Sequence, residues 1–470
     1  MVRTENRQRK QKTSQEDYLR KAAVNTLWAE EVLSLFPTQT NGETCVGKQD
    51  HLMEKVVERK NLAAALKRVT QNKGAPGIDG MKAEELLPHL NKHWSTIKEE
   101  LLSGAYKPKP VRRFEIQKPD GGIRLLGIPT VLDRFIQQAV QQILTPIFDP
   151  TFSHVSYGFR PGRGAKMAVK KAEEYIKDGN VYVVDTDLEK FFDQVNHDIL
   201  MGLIAKRIED RRIIKLIRKY LQAGVMINGC CVTAEEGTPQ GGPISPLLSN
   251  IMLDVLDKEL ERRGHKFVRY ADDCNIYVRS LRAGMRVIES AKNFLEKRLK
   301  LKVNEKKSAV DFASRRKILG FSFVAGEQVK VRLAGQTIKR LKNKVRELTR
   351  RSSGQSIEQR LGKLNVYLKG WMGYFWLAET PSIFLRIDEW IRRRLRMCLW
   401  KQWKTWKSRL RNLMRLEIKK SSAINVALSS KGCWRISLTP QMHKALGLAY
   451  WREQGLVSLL ERYKELRSFI

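Results

Sequence analysis

The chain has 470 residues, with 88 Lys and Arg against 50 Asp and Glu, a formal charge of +38 and a pI near 10.1. The length points to two to four domains, and 42% hydrophobic residues suffice for buried cores, so the charge does not signal wholesale disorder. Six cysteines without disulfide or metal spacing, a polar start and no apolar run near the ~18–20 residues of a membrane span argue against secreted and membrane-spanning classes. A cytoplasmic protein with a polyanionic partner is the expectation.

In chain order, residues 1–50 read as an N-terminal extension with a basic start and a helical stretch at 18–36. Gly42, Gly47 and Lys48 have phosphate-loop spacing, but Gln49 replaces the Ser/Thr that would hold magnesium and no strand precedes it. A helix at 51–70 leads into the Gly/Pro-rich loop QNKGAPGIDG (71–80). VRRFEIQ, KPDGG and IRLLGIP then read as a hairpin over 111–128. Helical patterns follow at 131–147 and 165–177, a buried-type strand at 182–188, and helix to about 223. After GTPQGGPISP come a long helix at 246–263 and strands at 266–270 and 274–280 around an Asp-Asp turn. A helix at 281–299, strands near 308–324 and helices from about 335 complete an α+β chain with a helical C-terminal part.

The cations are uneven. Residues 331–470 hold 31 basic and 9 acidic side chains, a net +22, with eight of the ten tryptophans. Lys and Arg neutralise phosphates, and Trp can stack on bases, so this part points to nucleic acid. In IRRRLRMCLWKQWKTWK (391–407) Ile391, Leu395, Leu399 and Trp403 form one helical stripe. Arg392, Arg396, Trp400 and Lys404 form its neighbour, expected to meet phosphates.

The strongest local chemistry is Tyr270-Ala271-Asp272-Asp273. Adjacent carboxylates at a hairpin turn repel unless a cation or solvent intervenes. Asp187 ends a second apolar strand, with Asp185 on the same face two residues earlier. Acids at two strand ends suit two-metal nucleotidyl transfer, in which paired Mg²⁺ ions ~3.5–4 Å apart act on the attacking and leaving oxygens. Carboxylates and water suit Mg²⁺, and no HExxH or CxxC pattern competes.

At this point the chain resembles bacterial group II intron-encoded reverse transcriptases (maturases), most like the compact type without an endonuclease domain. The blocks that carry the resemblance stand in the family's order: QNKGAPGIDG, IQKPDGGIRLLGIPT, SYGFRPGRG, VVDTDLEKFFDQVNHDIL, GTPQGGPISPLLSN, FVRYADDCNIYV, LKVNEKKS, ILGFSF and LNVYLKGWMGYF. The resemblance covers about residues 51–470. It implies a right-hand polymerase with an antiparallel palm sheet, followed by a helical thumb and a small C-terminal DNA-binding domain. The expected divisions are an N-terminal extension (1–50), fingers (51–165), palm with part of the fingers inserted (166–330), thumb or X domain (331–415) and DNA-binding domain (416–470).

The same resemblance gives residue roles. Asp187, Asp272 and Asp273 match the catalytic aspartates, holding two Mg²⁺ with the Leu188 carbonyl; Asp185 is left as a structural acid. Lys118, Arg124, Phe192, Gln240, Gly241 and Lys307 match the dNTP site, Phe192 as the gate against a 2′-hydroxyl. Without the family, Phe192 reads as a core aromatic. Gly74, Ala75, Pro76, Gly77, Arg160, Arg163, Arg392, Arg396 and Lys404 are the candidates for nucleic-acid contact. The implied partners are group II intron RNA, an RNA template/DNA primer duplex, target DNA and dNTPs, in the bacterial cytosol or nucleoid and without a membrane. The implied activity is RNA-directed DNA polymerisation with splicing assistance and retrohoming. Alternatives are a host-recruited enzyme of repair or phage defence and a non-catalytic maturase, which three intact acids oppose. An RNA-dependent RNA polymerase is opposed by Phe192.

Overall fold

The structure is a computed structural model that describes residues 51–117, 121–227, 230–232, 237–238, 241–324 and 328–468. Lys118 and Gln240, the strand-less phosphate-loop look-alike and the rest of the 1–50 extension lie outside the described residues.

The chain opens with α1 (Leu52–Val56), α2 (Arg59–Asn72) and α3 (Leu86–Ser103), then the hairpin of β1 (Val111–Gln117) and β2 (Ile123–Ile128). Next come α4 (Val131–Phe148), α5 (Ala165–Lys177), β3 (Tyr182–Thr186), α6 (His197–Ala205) and α7 (Arg211–Gln222). Short strands β4 (Val225–Ile227) and β5 (Cys230–Val232) precede α8 (Ser245–Arg262), β6 (Lys266–Tyr270), β7 (Asp273–Val278) and α9 (Leu281–Phe294). After β8 (Ala309–Phe312), β9 (Phe321–Val324) and β10 (Lys330–Leu333), the elements are helical. They are α10 (Gly335–Leu348), α11 (Ile357–Phe375), α12 (Pro381–Gln402), α13 (Trp406–Arg415) and α14 (Lys420–Ala427). Four short helices close the chain: α15 (Cys433–Ile436), α16 (Pro440–Ala445), α17 (Leu448–Glu453) and α18 (Leu459–Arg467).

The chain folds as two compact units. One takes in residues up to Ala168 and Val184–Val310, the other Val169–Val183 and Asp311–Ile470. In the first unit α4 is the central helix. Thr130 caps it by accepting from the Asp133 amide at 3.1 Å, and Phe135, Ile136, Ala139, Val140 and Leu144 are buried. Full burial of a side chain such as Phe135 contributes about 1.5–3 kcal/mol. The sheet β2–β1–β4–β5 contains the expected hairpin plus two strands that sequence periodicity does not show. Three residues are too few for a period of two to register. The other four-stranded sheet is ordered β6–β7–β3–β8, with β6 and β7 antiparallel and Tyr270 paired to Asp273.

In the second unit α12 is packed by α15 and α18, and α13 by α14. The expected continuous helix over 391–407 is instead broken. The α12 helix stops at Gln402, Trp403 takes a non-helical ψ of 74°, and Thr405 caps α13 through the Ser408 amide. Among the described residues no helix is long and apolar enough to cross a membrane.

Candidate active site

Two strand ends bring the acids together. The Thr186 hydroxyl donates to the Cys274 carbonyl at 3.2 Å, and the Asn275 amide donates to Asp185 Oδ1 at 3.0 Å. The end of β3 therefore lies beside the start of β7, and Asp187 and Asp273, one residue further on each strand, share that sheet edge. Asp185 meets Asn275, as suits a structural acid. A two-residue turn of Ala271 and Asp272 joins β6 to β7. Ala271 has φ +58 and Asp272 does not share the positive φ, the pattern of a II′ turn that favours glycine at its first position. Holding alanine there costs about 1–3 kcal/mol, a kind of strain that clusters at functional sites.

The turn at 304–308 holds Asp187. The Asn304 amide donates to the Asp187 carbonyl at 2.8 Å, and the Asp187 amide donates to Ser308 Oγ at 3.0 Å. Lys307 Nζ lies 3.9 Å from Asp187 Oδ2. Leu188 bridges to Val303, but the bonds run from Asn304 to Asp187 and from Glu189 to Lys302. In such an antiparallel pair the central residues exchange no bond, so the Leu188 carbonyl turns away from Val303.

A cleft of about 440 Å³ adjoins this edge. Asp272, Phe192, Arg124 and Gly241 line it together with Arg134, Gln138 and Phe159. Phe192 sits in a 3₁₀ turn, packed edge-on against Phe191 at 5.2 Å. Its carbonyl accepts from the Thr238 amide, while the Gly237 amide donates to Val195 O at 2.9 Å. Gly241 has φ +133, and a Cβ on it would come within 2.7 Å of the Gly127 carbonyl of β2, so only glycine lets this segment lie against the hairpin. Arg124 pairs with Ile116 across the hairpin.

Arg134 and Gln138 of α4 are absent from the expected site residues, and Phe159, from the loop before α5, stands in the SYGFRPGRG block without an assigned role. Arg134 NH2 donates to the Ala75 carbonyl at 2.8 Å, and Gly77 packs so closely on Thr130 that a Cβ would approach its Cα to 2.6 Å. The loop holding Gly74, Ala75, Pro76 and Gly77 is thereby docked on the start of α4.

Carboxylates and a backbone carbonyl are hard oxygen donors that suit Mg²⁺. The neighbouring Cys274 is buried, and burial pushes its thiol pKa up, away from a ligating thiolate. Among the described residues, however, no three His, Cys, Asp or Glu side chains converge closely enough to hold an ion unaided. The expected trio is thus an open set of donors. A metal held here would need further oxygens from substrate and water.

Two expected nucleic-acid contacts are corrected. Arg160 is buried: it bonds Asp149 Oδ1 at 2.7 Å and the Ser153 carbonyl at 2.6 Å. Arg396 is also buried, donating to the Ser437 carbonyl at 2.8 Å and the Leu446 carbonyl at 3.3 Å. Those carbonyls end α15 and α16, where a cation offsets the helix dipoles. Trp400 is buried as well, and the C-terminal helices cover the expected phosphate-facing ridge at Arg396. Arg163 and Arg392 are half-buried and Lys404 is exposed. A different cationic patch surrounds half-buried Trp390, whose ring has Lys342, Arg346 and Arg394 within 5.5–5.9 Å.

Comparison with known families gives two matches. Residues 116–323 match the family described as reverse transcriptase (RNA-dependent DNA polymerase), and residues 338–416 match the group II intron, maturase-specific domain. Protein YkfC of Escherichia coli (strain K12) is 34% identical over 299 residues, covering 55% of this chain and 78% of that protein. The group II intron-encoded protein LtrA of Lactococcus lactis subsp. cremoris is 32% identical over 352 residues, covering 59% of this chain and 57% of LtrA. A putative COX1/OXI3 intron 2 protein of Saccharomyces cerevisiae is 34% identical over 200 residues, 42% of this chain and 22% of that one.

Proposed function

Because this chain belongs to the reverse transcriptase family, and within it to the group II intron proteins, we propose that the cleft beside Asp272 is where RNA is copied into DNA. The protein is read as an RNA-directed DNA polymerase whose maturase domain binds intron RNA and assists splicing and retrohoming. One observation carries the active-site reading. Asp272 lines a single cleft with Arg124, Phe192 and Gly241, while Asp187 stands at the same sheet edge as the Asp-Asp turn.

Asp187, Asp272, Asp273 and the Leu188 carbonyl would hold two Mg²⁺. Bound there, Mg²⁺ lowers the pKa of a primer 3′-hydroxyl and offsets charge on the leaving pyrophosphate. The remaining work falls to the chain. Arg124, joined by Lys118, binds the triphosphate with forked and point-charge donors. Phe192 fills the space under the sugar that a 2′-hydroxyl would need. Gly241 allows the backbone to approach the nucleotide, and Lys307 adds a cation beside Asp187. The substrates are then a dNTP and an RNA template with a DNA primer, and target DNA is the site of insertion.

The proposed division is fingers at 51–165, palm at 166–330, thumb at 331–415 and DNA-binding domain at 416–470. The loop at 74–77, Arg163, Arg392 and Lys404 are kept as nucleic-acid contacts, without Arg160 and Arg396. The test is Asp272→Ala. It should abolish dNTP incorporation on an RNA template with a DNA primer and leave intron RNA affinity intact. Full residual polymerisation would overturn the assignment.

A further inference from the structure

The residue two before the strained Ala271 is Arg269, and its guanidinium is entirely buried. It forms an ion pair with equally buried Asp257 of α8, Nε lying 2.8 Å from Oδ1 and NH2 2.6 Å from Oδ2. NH1 makes two further bonds, to the Asn250 side-chain oxygen and to the Ala271 carbonyl, both at 2.9 Å. Asn250 in turn donates to the Gly158 carbonyl at 2.9 Å. Gly158 lies so close to the turn that a Cβ on it would stand 2.2 Å from the Ala271 amide nitrogen. The backbone of the Gly158 segment is pinned to the same strand, with the Tyr157 amide donating to the Arg269 carbonyl at 2.9 Å.

Three stretches singled out in the sequence thus meet under one turn: SYGF at 156–159, SPLLSN at 245–250 and RYADD at 269–273. Asn250 and Asp257 are seven residues apart, two helical turns, and so present both acceptors on one face of α8. A buried ion pair is a poor device for stability alone, because an apolar pair of equal volume commonly does as well. This one supplies what an apolar pair lacks: a rigid fork that bonds a carboxylate, an amide and the carbonyl of the strained residue together.

We infer that Arg269, held by Asp257 and Asn250, is a positioning residue that fixes the Ala271–Asp272 turn so that its carboxylates are aimed for divalent cations. It acts through the Ala271 carbonyl and does not touch the metal or substrate. The inference rests on the metal role given to Asp272. Lys at this position keeps the charge for Asp257 but, as a single ammonium, cannot reproduce the planar fork.

The test uses the full chain and Mn²⁺ as the probe, titrated by electron paramagnetic resonance, with the Mg²⁺ dependence of primer extension measured beside it. Arg269→Lys should weaken Mn²⁺ binding about 10-fold, raise the Mg²⁺ needed for half-maximal extension to match, and lower kcat. KM for dNTP and affinity for template RNA should hold, and excess Mg²⁺ should restore part of the rate. A folded Arg269→Lys protein with an unchanged Mn²⁺ titration overturns the inference. Should that variant fail to fold, Asn250→Ala is the second arm, because it removes one of the two NH1 acceptors and the link to Gly158 while keeping the ion pair. It should shift the Mn²⁺ titration several-fold, and no shift overturns the inference equally. Asp272→Ala separates the two readings. Loss of Mn²⁺ binding there with a wild-type titration for Arg269→Lys removes only the positioning role. A wild-type titration for Asp272→Ala removes the metal role and the inference with it.

Discussion

The Lys307 ammonium lies 3.9 Å from a carboxylate oxygen of Asp187, on a turn whose backbone also bonds Asp187. The Lys307 side chain is 55% exposed and that of Asp187 34%, so the pair contributes little to folding, well under about 1 kcal/mol. A role toward the incoming nucleotide would show elsewhere. Lys307→Ala should leave Tm unchanged and raise KM for dNTP about 10-fold, the effect of about 1.4 kcal/mol of lost binding. Lys306→Ala, one residue away and exposed, should change neither. Steady-state kinetics on an RNA template checks both, and equal effects from the two lysines would discard the assignment.

Phe192 is fixed at two points, its ring by Phe191 and its carbonyl by the Thr238 amide, and it lines the same cleft as Asp272. A ring so held excludes by shape, and steric exclusion of a single group is worth about 1–3 kcal/mol. Phe192→Val should therefore lower discrimination against rNTPs by about 10- to 100-fold while dNTP incorporation persists. Unchanged dNTP/rNTP selectivity in single-nucleotide incorporation would return Phe192 to the role of a packing aromatic.

The acids were legible because their setting was legible. Asp187 and the Asp272–Asp273 turn each end a run of β-type residues, and the structure puts those runs side by side. What the sequence concealed depends on chain packing across long separations. Helical spacing correctly places Arg396 and Trp400 on one ridge, but it cannot say that residues 437 and 446 close that ridge off. Arg160 is expected as a nucleic-acid contact, whereas Asp149, eleven residues earlier, holds it. Arg134 and Gln138 of α4 and Phe159 of the loop before α5 line one cleft with Arg124 of the hairpin, a meeting of separate segments with no local signature.

Arg396 and Lys404, which helical spacing puts on the same ridge, predict opposite phenotypes. Arg396→Ala leaves the buried Ser437 carbonyl without its donor, while the Leu446 carbonyl keeps the Trp451 indole N–H, and the unsatisfied group costs about 1–3 kcal/mol. Urea unfolding should show a loss of about 1–3 kcal/mol, with the salt dependence of nucleic-acid binding unaltered in whatever fraction stays folded. Lys404→Ala and Arg392→Ala should leave stability near wild type and flatten the log–log salt dependence, by up to about one unit for each phosphate no longer neutralised. An Arg396→Ala protein of full stability but reduced salt slope would reinstate the original ridge.

Asp254 offers a pH test that is independent of catalysis. Burial first, and then the neighbouring Asp257 carboxylate, push its pKa up to about 6 from the ordinary 3.8. A carboxyl whose folded pKa is raised favours its neutral form in the fold. The associated stability is fully present below about pH 4 and is lost as pH climbs through about 6. Asp254→Asn keeps a carbonyl oxygen for the Ser153 amide that donates to it at 3.2 Å, and it never ionises. Wild type and variant should therefore unfold alike near pH 4, and by pH 7 the variant should be the more stable by on the order of 1–3 kcal/mol. The sign is the discriminating feature, because removal of an ordinary surface carboxylate from so basic a chain should destabilise it. Thermal unfolding of both proteins across pH 4–7 decides between them, and a variant less stable at pH 7 would show that Asp254 is held as a charged partner of the surrounding cations.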